Sequence, residues 1–149
     1  MEKVNVSIFQ LLDDIPFFAG FSHEELGMLM DAGNWTKVSP SERIITEGEL
    51  DLSMYVLIQG SVDVVLNNRV LSVLNAGDTF GEFGVMGERR TAHVVARTEC
   101  LLLGFDADRL NSLDLNLQIR FLKRIVFTML ARLQKINRRS WWDLPTQWR

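Results

Sequence analysis

The sequence predicts a mainly β domain with helices at both ends, and three observations support that fold class. Short apolar runs follow one another between residues 35 and 105, and turn-forming residues separate them. A helical spacing of apolar residues precedes this region, and a longer helical pattern follows it. Short strands at such close, regular spacing are typical of an antiparallel sandwich or barrel.

Residues 1–34 are predicted to form an N-terminal helical segment with two helices. The first covers "VSIFQLLDDIPFF", in which apolar residues recur at helical spacing. The second lies in "FSHEELGMLMDAGN". Ser22 can cap its first turn while Glu25 reaches back to the Ser22 amide, which makes a capping box. Gly33 provides the stop.

Residues 35–105 are predicted to be the strand region. Asn67 and Asn68 separate two of its apolar runs, and asparagine tolerates the positive φ angles of a tight hairpin. The predicted strands are "WTKVS", "RIITE", "MYVLIQ", "SVDVVL", "RVLSVL", "AHVVART" and "CLLLGF".

Residues 106–140 are predicted to be helical again, with a long helix from about Asp114 to Arg139. This helix carries apolar residues at alternating spacings of three and four, which is a heptad pattern. The pattern indicates a helix-to-helix homodimer, and the alternative is a helix packed on its own domain. The seam consists of Ile119, Leu122, Val126, Met129, Leu133 and Ile136. Residues 141–149 form a predicted Trp-rich tail, expected to pack on the domain or the dimer.

Composition excludes several classes of protein. The net charge of -3 gives no electrostatic footprint for binding nucleic acid, and the single cysteine excludes an internal disulfide framework. The two histidines, His23 and His93, cannot assemble a multi-histidine metal site, and no nucleophile–base pair is evident. We therefore expect neither a metal, nor a cofactor, nor enzymatic activity. The sequence shows no signal peptide and no apolar run long enough to span a membrane, which predicts a cytoplasmic protein.

The stretch "GDTFGEFGVMGERRTAHV", at residues 77–94, combines a Gly-rich turn with one acid and two arginines. Backbone amides of such a turn can hold a phosphate, and Arg90 adds a charge-assisted contact to the same anion. Thr91 adds a hydroxyl. An ionised Glu82 only accepts hydrogen bonds, so it would serve neighbouring hydroxyls such as those of a ribose. The alternative is a surface turn with an exposed Glu–Arg pair.

This stretch resembles the phosphate-binding cassette of the cyclic-nucleotide-binding domain family, which includes the catabolite activator, protein kinase A regulatory subunits and cyclic-nucleotide-regulated channels. "FGE" at 80–82 is similar to the signature that binds the ribose 2′-hydroxyl, and Arg90 to the arginine that binds the cyclic phosphate. Upstream, "IPFFAGFSHEELGML", "IITEGE" and "VLNAGDTFGE" are also similar to family segments.

The resemblance implies a stand-alone, bacterial-type member: a jelly-roll-like β-roll (a double-stranded β-helix) of about eight antiparallel strands, with N-terminal helices and a long C-terminal helix. Residues 106–140 would then be the lid and dimerisation helices. Asn137 is similar in placement to a polar lid residue that reaches the base in the catabolite activator. The implied ligand-binding residues are Gly81, Glu82, Phe83, Gly84, Arg90, Thr91, Ala92, His93 and Asn137.

The function implied by this resemblance is a regulatory sensor that binds cAMP or cGMP and signals by moving its C-terminal helix to an unidentified protein partner. Thr91 leaves cGMP as an alternative ligand to cAMP, because channel members place a threonine beside this arginine. The short sequence after Arg139 leaves no room for a helix-turn-helix unit, so we expect no direct DNA binding. The alternative function is a constitutive dimeric interaction protein with the same fold and a drifted cassette that does not bind.

Overall fold

The computed structural model describes the backbone of residues 2–143 and the side chains of residues 8–135. Within this part of the chain, eight strands form two four-stranded sheets with helices on both sides, which confirms the predicted β-roll. The helices are α1 (Glu2–Asp13), α2 (His23–Ala32), α3 (Glu82–Val85), α4 (Ala107–Asn111) and α5 (Leu115–Asp143), with a 3-10 turn at Pro16–Phe18. The strands are β1 (Asn34–Val38), β2 (Arg43–Ile45), β3 (Ser53–Gln59), β4 (Ser61–Leu66), β5 (Arg69–Asn75), β6 (Thr79–Phe80), β7 (His93–Ala96) and β8 (Cys100–Asp106).

All strand pairs are antiparallel, and successive strands alternate between the two sheets except at the β4–β5 hairpin, which lies within one sheet. One sheet has the order β1-β8-β3-β6, and the other has the order β2-β7-β4-β5. The predicted hairpin joins β4 to β5, where Asn67 and Asn68 have φ angles of 52° and 61°. Both residues therefore adopt the left-handed conformation that a two-residue turn of this kind requires. Strand β6 was absent from the sequence prediction because two residues carry no periodicity.

Two apolar clusters stabilise the roll, one on each face of β3 and β8. Met54 and Val56 of β3 pack with Phe105 of β8 and with residues of the flanking helices. Leu57 and Leu102 point to the opposite face, where the two sheets meet. Because neighbouring side chains in a strand point to opposite faces, a strand buried on both sides must be apolar throughout. This explains why "MYVLIQ" and "CLLLGF" are continuous apolar runs.

The first predicted helix is divided in the structure. Helix α1 ends at Asp13, and a separate 3-10 turn begins at Pro16. Ile15 is extended, with φ −92° and ψ 118°, because the ring of a following proline disfavours the helical conformation. The prediction of one helix through "DDIPFF" was therefore wrong at Pro16.

The predicted capping box of α2 is confirmed. The Glu25 amide donates to Ser22 Oγ at 3.1 Å, and the Ser22 amide donates to Glu25 Oε1 at 3.0 Å. The bond from the Ser22 amide, together with the guanidinium of Arg120, lowers the pKa of Glu25. Gly33 follows the helix, and a Cβ there would lie only 2.6 Å from Leu103 Cδ1. The glycine thus lets α2 end against strand β8.

Arginines anchor α5 to the N-terminal segment. Arg120 pairs with the Glu25 carboxylate and donates to the carbonyl oxygen of Gly20, and its guanidinium lies 4.9 Å from the Phe21 ring centroid. One turn later, Arg124 donates from Nε to the Phe17 carbonyl oxygen at 3.0 Å and from Nη2 to that of Pro16. The first half of α5 is therefore fixed to α2 and the 3-10 turn.

Helix α5 presents one apolar face to the core and leaves another exposed. Phe121 and Ile125 are buried in the cluster shared with α1 and α2. Most described residues of the predicted seam stay exposed, including Val126 at 60% and Leu133 at 52%. Met129 departs from this pattern, because it is only partly buried and packs against its own domain. The described helix extends to Asp143, beyond the predicted end at Arg139, so it includes the first residues of the predicted tail. Residues 144–149 lie outside the described part.

No helix among residues 2–143 is both long enough and apolar enough to cross a membrane.

Candidate functional site

A cavity of about 640 Å³ lies between the Gly-rich stretch, strands β4, β5 and β7, and helix α5. Its wall is apolar along the strands and charged at the Gly-rich turn and on α5. The lining residues are Ile45, Val64, Leu71, Ser72, Val73, Leu74, Phe80, Gly81, Glu82, Phe83, Arg89, Arg90, Thr91, Ala92, Val94, Met129, Arg132 and Lys135.

Arg90 is a buried cation at one end of this cavity, with 7% of its surface exposed. Its Nη1 donates to the Gly81 carbonyl oxygen at 2.7 Å, and its Nη2 donates to that of Ser53 at 2.5 Å. Nη2 also lies 3.1 Å from Asp51 Oδ2. The buried Nε has no hydrogen-bond partner among the described residues. One donor of the guanidinium is therefore left unmatched, which costs about 1–3 kcal/mol in a buried site.

Asp51 is the counterion of Arg90 and also lies beside Tyr55. Burial raises the pKa of the Tyr55 phenol above its ordinary value of 10.0, and the Asp51 carboxylate raises it further. The phenol consequently stays protonated and can donate to an acceptor throughout the neutral range. Its ring stacks on Phe80, with centroids 5.3 Å apart. Asp51 thus connects Arg90 to the core of the β3–β6 sheet.

Two glycines let the turn approach Arg90 closely. Gly81 has a φ of +77°, and a Cβ there would lie 2.8 Å from Arg90 Nη1. A Cβ at Gly84 would overlap the Asp51 carbonyl oxygen and would lie 2.5 Å from Arg90 Nη1 and 2.8 Å from the Ser53 oxygen. Only glycine therefore allows α3 to lie against Arg90 and the segment before β3.

Glu82 is a buried carboxylate that pairs with a residue of helix α5. Its surface is 4% exposed, and its Oε1 accepts from Thr79 Oγ1 at 2.6 Å. Arg132 of α5 donates from Nη1 to the same Oε1 at 2.8 Å and from Nη2 to the Thr79 carbonyl oxygen. This ion pair crosses from the Gly-rich turn to α5 and closes one side of the cavity.

The structure brings most of the predicted site residues together. Six of them line the cavity: Gly81, Glu82, Phe83, Arg90, Thr91 and Ala92. Gly84 lies behind the turn, against Arg90. His93 is not part of the lining, and its Nδ1 accepts a hydrogen bond from the Glu47 amide at 3.0 Å. The side chain of Asn137 lies outside the described residues.

The sequence interpretation missed the charged residues of α5 and the counterion of Arg90. Arg132 and Lys135 were not predicted, because the apolar seam and the family resemblance at Asn137 are the stronger signals in this helix. A usable signal was present, since Arg120, Arg124 and Arg132 share one helix face at spacings of four and eight. Asp51 gave no local signal, because 39 positions separate it from Arg90 in the chain.

The cavity suits a small anion that also carries hydroxyl groups and an apolar ring. Among the described side chains, four cations line it, from Arg89, Arg90, Arg132 and Lys135, against one carboxylate, that of Glu82. Guanidinium groups bind phosphate oxygens in a bidentate manner, and an ionised carboxylate accepts from hydroxyls. The aliphatic wall offers a surface for a flat ring.

Comparison with known proteins also indicates a nucleotide-binding fold. The model of the family described as cyclic nucleotide-binding domain matches residues 35–115. The potassium/sodium hyperpolarization-activated cyclic nucleotide-gated channel 2 of Homo sapiens is 27% identical over 139 residues, which cover 91% of this chain and 16% of the channel. The chain therefore spans about a sixth of the length of the channels that it resembles.

Two solved structures share the fold over most of the chain. A cyclic nucleotide-binding domain from Methylobacillus flagellatus KT superposes with a TM-score of 0.79 at 23% identity, covering 97% of this chain and 86% of that one. The regulatory subunit of a cAMP-independent protein kinase A from Trypanosoma brucei gives a TM-score of 0.68 at 29% identity, covering 83% of this chain and 47% of that one.

Proposed function

The chain belongs to the cyclic nucleotide-binding domain family, and from this premise we propose that it is a regulatory sensor for cAMP or cGMP. One observation carries the proposal. A buried arginine and a buried carboxylate, Arg90 and Glu82, line the same cavity from either end of one Gly-rich turn. Groups of opposite charge in one cavity suit the two halves of a ribose cyclic phosphate, because the cation can bind the phosphate and the carboxylate can accept from a sugar hydroxyl. No catalytic step is required of the site.

In this proposal the cyclic phosphate binds Arg90 and the backbone amides at the start of α3. An oxygen anion next to the guanidinium supplies an acceptor for its unmatched Nε–H, and it competes with Asp51 for Nη2. The ribose 2′-hydroxyl donates to Glu82. The base lies along the apolar wall, within reach of Thr91 and of the described part of α5, where Met129 and Lys135 line the cavity.

Signalling follows from the connection between the cavity and α5. Ligand binding shifts the population toward the conformation in which the Gly-rich turn and the end of α5 are held together. The first half of α5 stays anchored through Arg120 and Arg124, so the change is greatest beyond Arg124. A protein partner would detect this movement by binding the exposed side of the helix, which is described as far as residue 135.

The first prediction concerns binding itself. Calorimetric titration of purified, nucleotide-stripped protein with cAMP and with cGMP should give saturable binding. Glu82→Gln should weaken binding of the ribonucleotides about 5- to 10-fold, because a neutral acceptor replaces a charged one at a cost of about 1 kcal/mol. The loss for 2′-deoxy-cAMP should be smaller. Absence of heat and of any thermal shift at millimolar cAMP and cGMP would exclude the sensor.

That outcome would favour the second candidate, a constitutive interaction protein with the same fold. A specific observation supports it, because Asp51 and Arg132 already partner the two charges that a nucleotide would use. The Trypanosoma brucei relative is named as the subunit of a cAMP-independent kinase. This relative shares the fold and belongs to a kinase named as independent of cAMP, so the same fold without cAMP binding is the alternative for this chain.

We further propose that α5 forms a symmetric homodimer. The proposal rests on the heptad spacing and on the exposed apolar residues along one side of the helix, which a second copy of the same helix would cover. Residues of this side are Leu115, Ile119, Leu122, Val126, Leu130 and Leu133. Single exposed apolar side chains are ordinary, but a continuous stripe of them marks an interaction surface.

The second prediction tests this dimer. Val126→Glu should convert the dimer to a monomer, because each subunit would bury an unpaired carboxylate at a cost of several kcal/mol. Light scattering after size exclusion at micromolar concentration gives the mass. Gln134→Glu is the matched control, since it adds the same charge at an exposed position outside the seam. A wild-type monomer under these conditions would overturn the proposal.

A further inference from the structure

Four large apolar side chains are exposed where helix α3 meets the segment before strand β3. This α3 surface consists of Leu50, Leu52, Phe83 and Met86, each between 42% and 54% exposed. The two segments are in contact, because a Cβ at Gly84 would overlap the carbonyl oxygen of the residue between the two leucines. Single exposed apolar residues are ordinary, but a group of them on adjoining segments marks an interaction surface.

Carboxylates surround the α3 surface. Glu49 directly precedes it in the chain, and the amide of Glu88 donates to a carbonyl oxygen of α3 at 3.1 Å. Asp108 lies in the first turn of α4, whose first amide donates to the Leu52 carbonyl oxygen at 2.9 Å. All three acids are exposed, against the guanidinium of Arg89. An apolar occupant that carries positive charge therefore matches this surface better than a neutral or acidic one.

Residues 138–149, the C-terminal segment, have the matching composition. They contain three tryptophans and three arginines against one aspartate, and their side chains lie outside the described part of the chain. Tryptophan brings a large apolar area to an interface, and arginine forms charge-assisted hydrogen bonds with carboxylates. The segment therefore complements both the apolar side chains of the α3 surface and the acids around it.

The C-terminal segment also begins close to the α3 surface. Lys135, three positions before it, lines the same cavity as Phe83. From Lys135 to Asp143 the helix rises about 12 Å, whereas the six residues that follow can span about 20 Å when extended. The second length exceeds the first, so residues 144–149 are long enough to return to α3.

We propose that the C-terminal segment docks on the α3 surface of its own chain. Its tryptophan rings cover the exposed apolar side chains, and its arginines pair with the surrounding carboxylates. The inference goes beyond nucleotide binding, since Phe83 is the one member of the α3 surface among the residues that line the cavity. Any other protein that binds this surface must first displace the segment.

A fluorescent label that indole rings quench on contact tests this placement, on the full chain and without nucleotide. Bimane is attached to Met86→Cys, because the native Cys100 is buried and buried thiols are unreactive. Trp35 is kept in every protein, so that its contribution is constant. The reference protein has phenylalanine in place of the three tryptophans of the segment, which are Trp141, Trp142 and Trp148.

The label at position 86 should be dimmer with the native segment than in the reference protein, because the docked rings quench it. Attached to Met28→Cys on α2, the same label should be equally bright in both proteins. Adding Leu52→Lys to the protein labelled at position 86 should restore most of the lost fluorescence, since the new charge repels the arginines. Met28→Lys is the matched control and should leave the quenching unchanged, because Leu52 and Met28 are 42% and 43% exposed.

Equal brightness at position 86 with and without the tryptophans overturns the proposal, and so does equal quenching in Leu52→Lys and Met28→Lys. Labelled reference protein is also refolded together with unlabelled protein that keeps its tryptophans. Quenching in this mixture would assign the surface to the segment of a second copy and overturn docking within one chain. A far-ultraviolet circular dichroism melt shows that each variant is folded. If the reference protein does not fold, the comparison of Leu52→Lys with Met28→Lys decides.

Discussion

Arg90→Leu is expected to weaken cyclic-nucleotide binding roughly 10- to 150-fold, because hydrogen bonds to a charged group contribute about 1.5–3 kcal/mol. It should also lower the free energy of unfolding by about 3 kcal/mol, near the lower end of the range for breaking a buried ion pair. The carbonyl oxygens of Gly81 and Ser53 and the carboxylate of Asp51 all lose their donor in this variant. Calorimetry and chemical denaturation measure the two effects separately.

Arg90→Lys distinguishes the two roles of this arginine. The ammonium keeps the charge and can still reach one of the oxygens, but it lacks the bidentate geometry of the guanidinium. We expect a fold close to wild type in stability and a binding loss between those of wild type and Arg90→Leu. Equal affinity of all three proteins for cAMP would show that Arg90 is structural only.

Gly84→Ala is expected to be the most destabilising single-methyl change in the Gly-rich stretch. The added Cβ would overlap the Asp51 carbonyl oxygen and would lie 2.5 Å from Arg90 Nη1. Backbone on one side and a buried guanidinium on the other leave little room to relax. We expect a loss of about 3 kcal/mol, the upper part of the range for overpacking, and a fall in Tm of roughly 6–12 °C.

Gly27→Ala is the matched control for this change. Gly27 lies within α2, and a Cβ there would meet nothing within 4 Å. Alanine is the better helix former by about 1 kcal/mol, so this variant should be as stable as wild type or more stable. Thermal melts should therefore show a lower Tm for Gly84→Ala and an equal or higher Tm for Gly27→Ala, both relative to wild type. If the Tm of Gly84→Ala equals that of wild type, α3 can move away from Arg90 at little cost in free energy.

Much of the roll was predictable because its strands are set by local pattern. The runs "MYVLIQ" and "CLLLGF" are apolar on both faces, and the structure buries both faces. The Asn67-Asn68 turn and the Ser22–Glu25 capping box are local chemistry as well, and both are confirmed. The break at Pro16 was also readable from the sequence, but the apolar spacing on either side of the proline concealed it.

The site was predictable only where its residues are close in the chain. Glu82, Arg90 and Thr91 belong to one stretch, and the structure brings them to one cavity. Asp51 and Arg132 complete the charge pattern from other elements, and their positions depend on the packing of β3 and α5 against the turn. Pairings over such separations follow from the tertiary fold, which no local pattern encodes. The same reason explains why His93 turns to the Glu47 amide and away from the lining.

The arginines that anchor α5 all donate to carbonyl oxygens of the main chain. Arg120 donates to the Gly20 carbonyl, Arg124 to those of Pro16 and Phe17, and Arg132 to that of Thr79. Every residue type has a carbonyl oxygen, so substitution at an acceptor position leaves the acceptor in place. Over evolutionary time the side chains of the partner segments can therefore diverge while the helix stays docked. An insertion or deletion in those segments has the opposite effect, because it moves the carbonyls away from the arginines, and changes of chain length there should be far rarer than changes of residue.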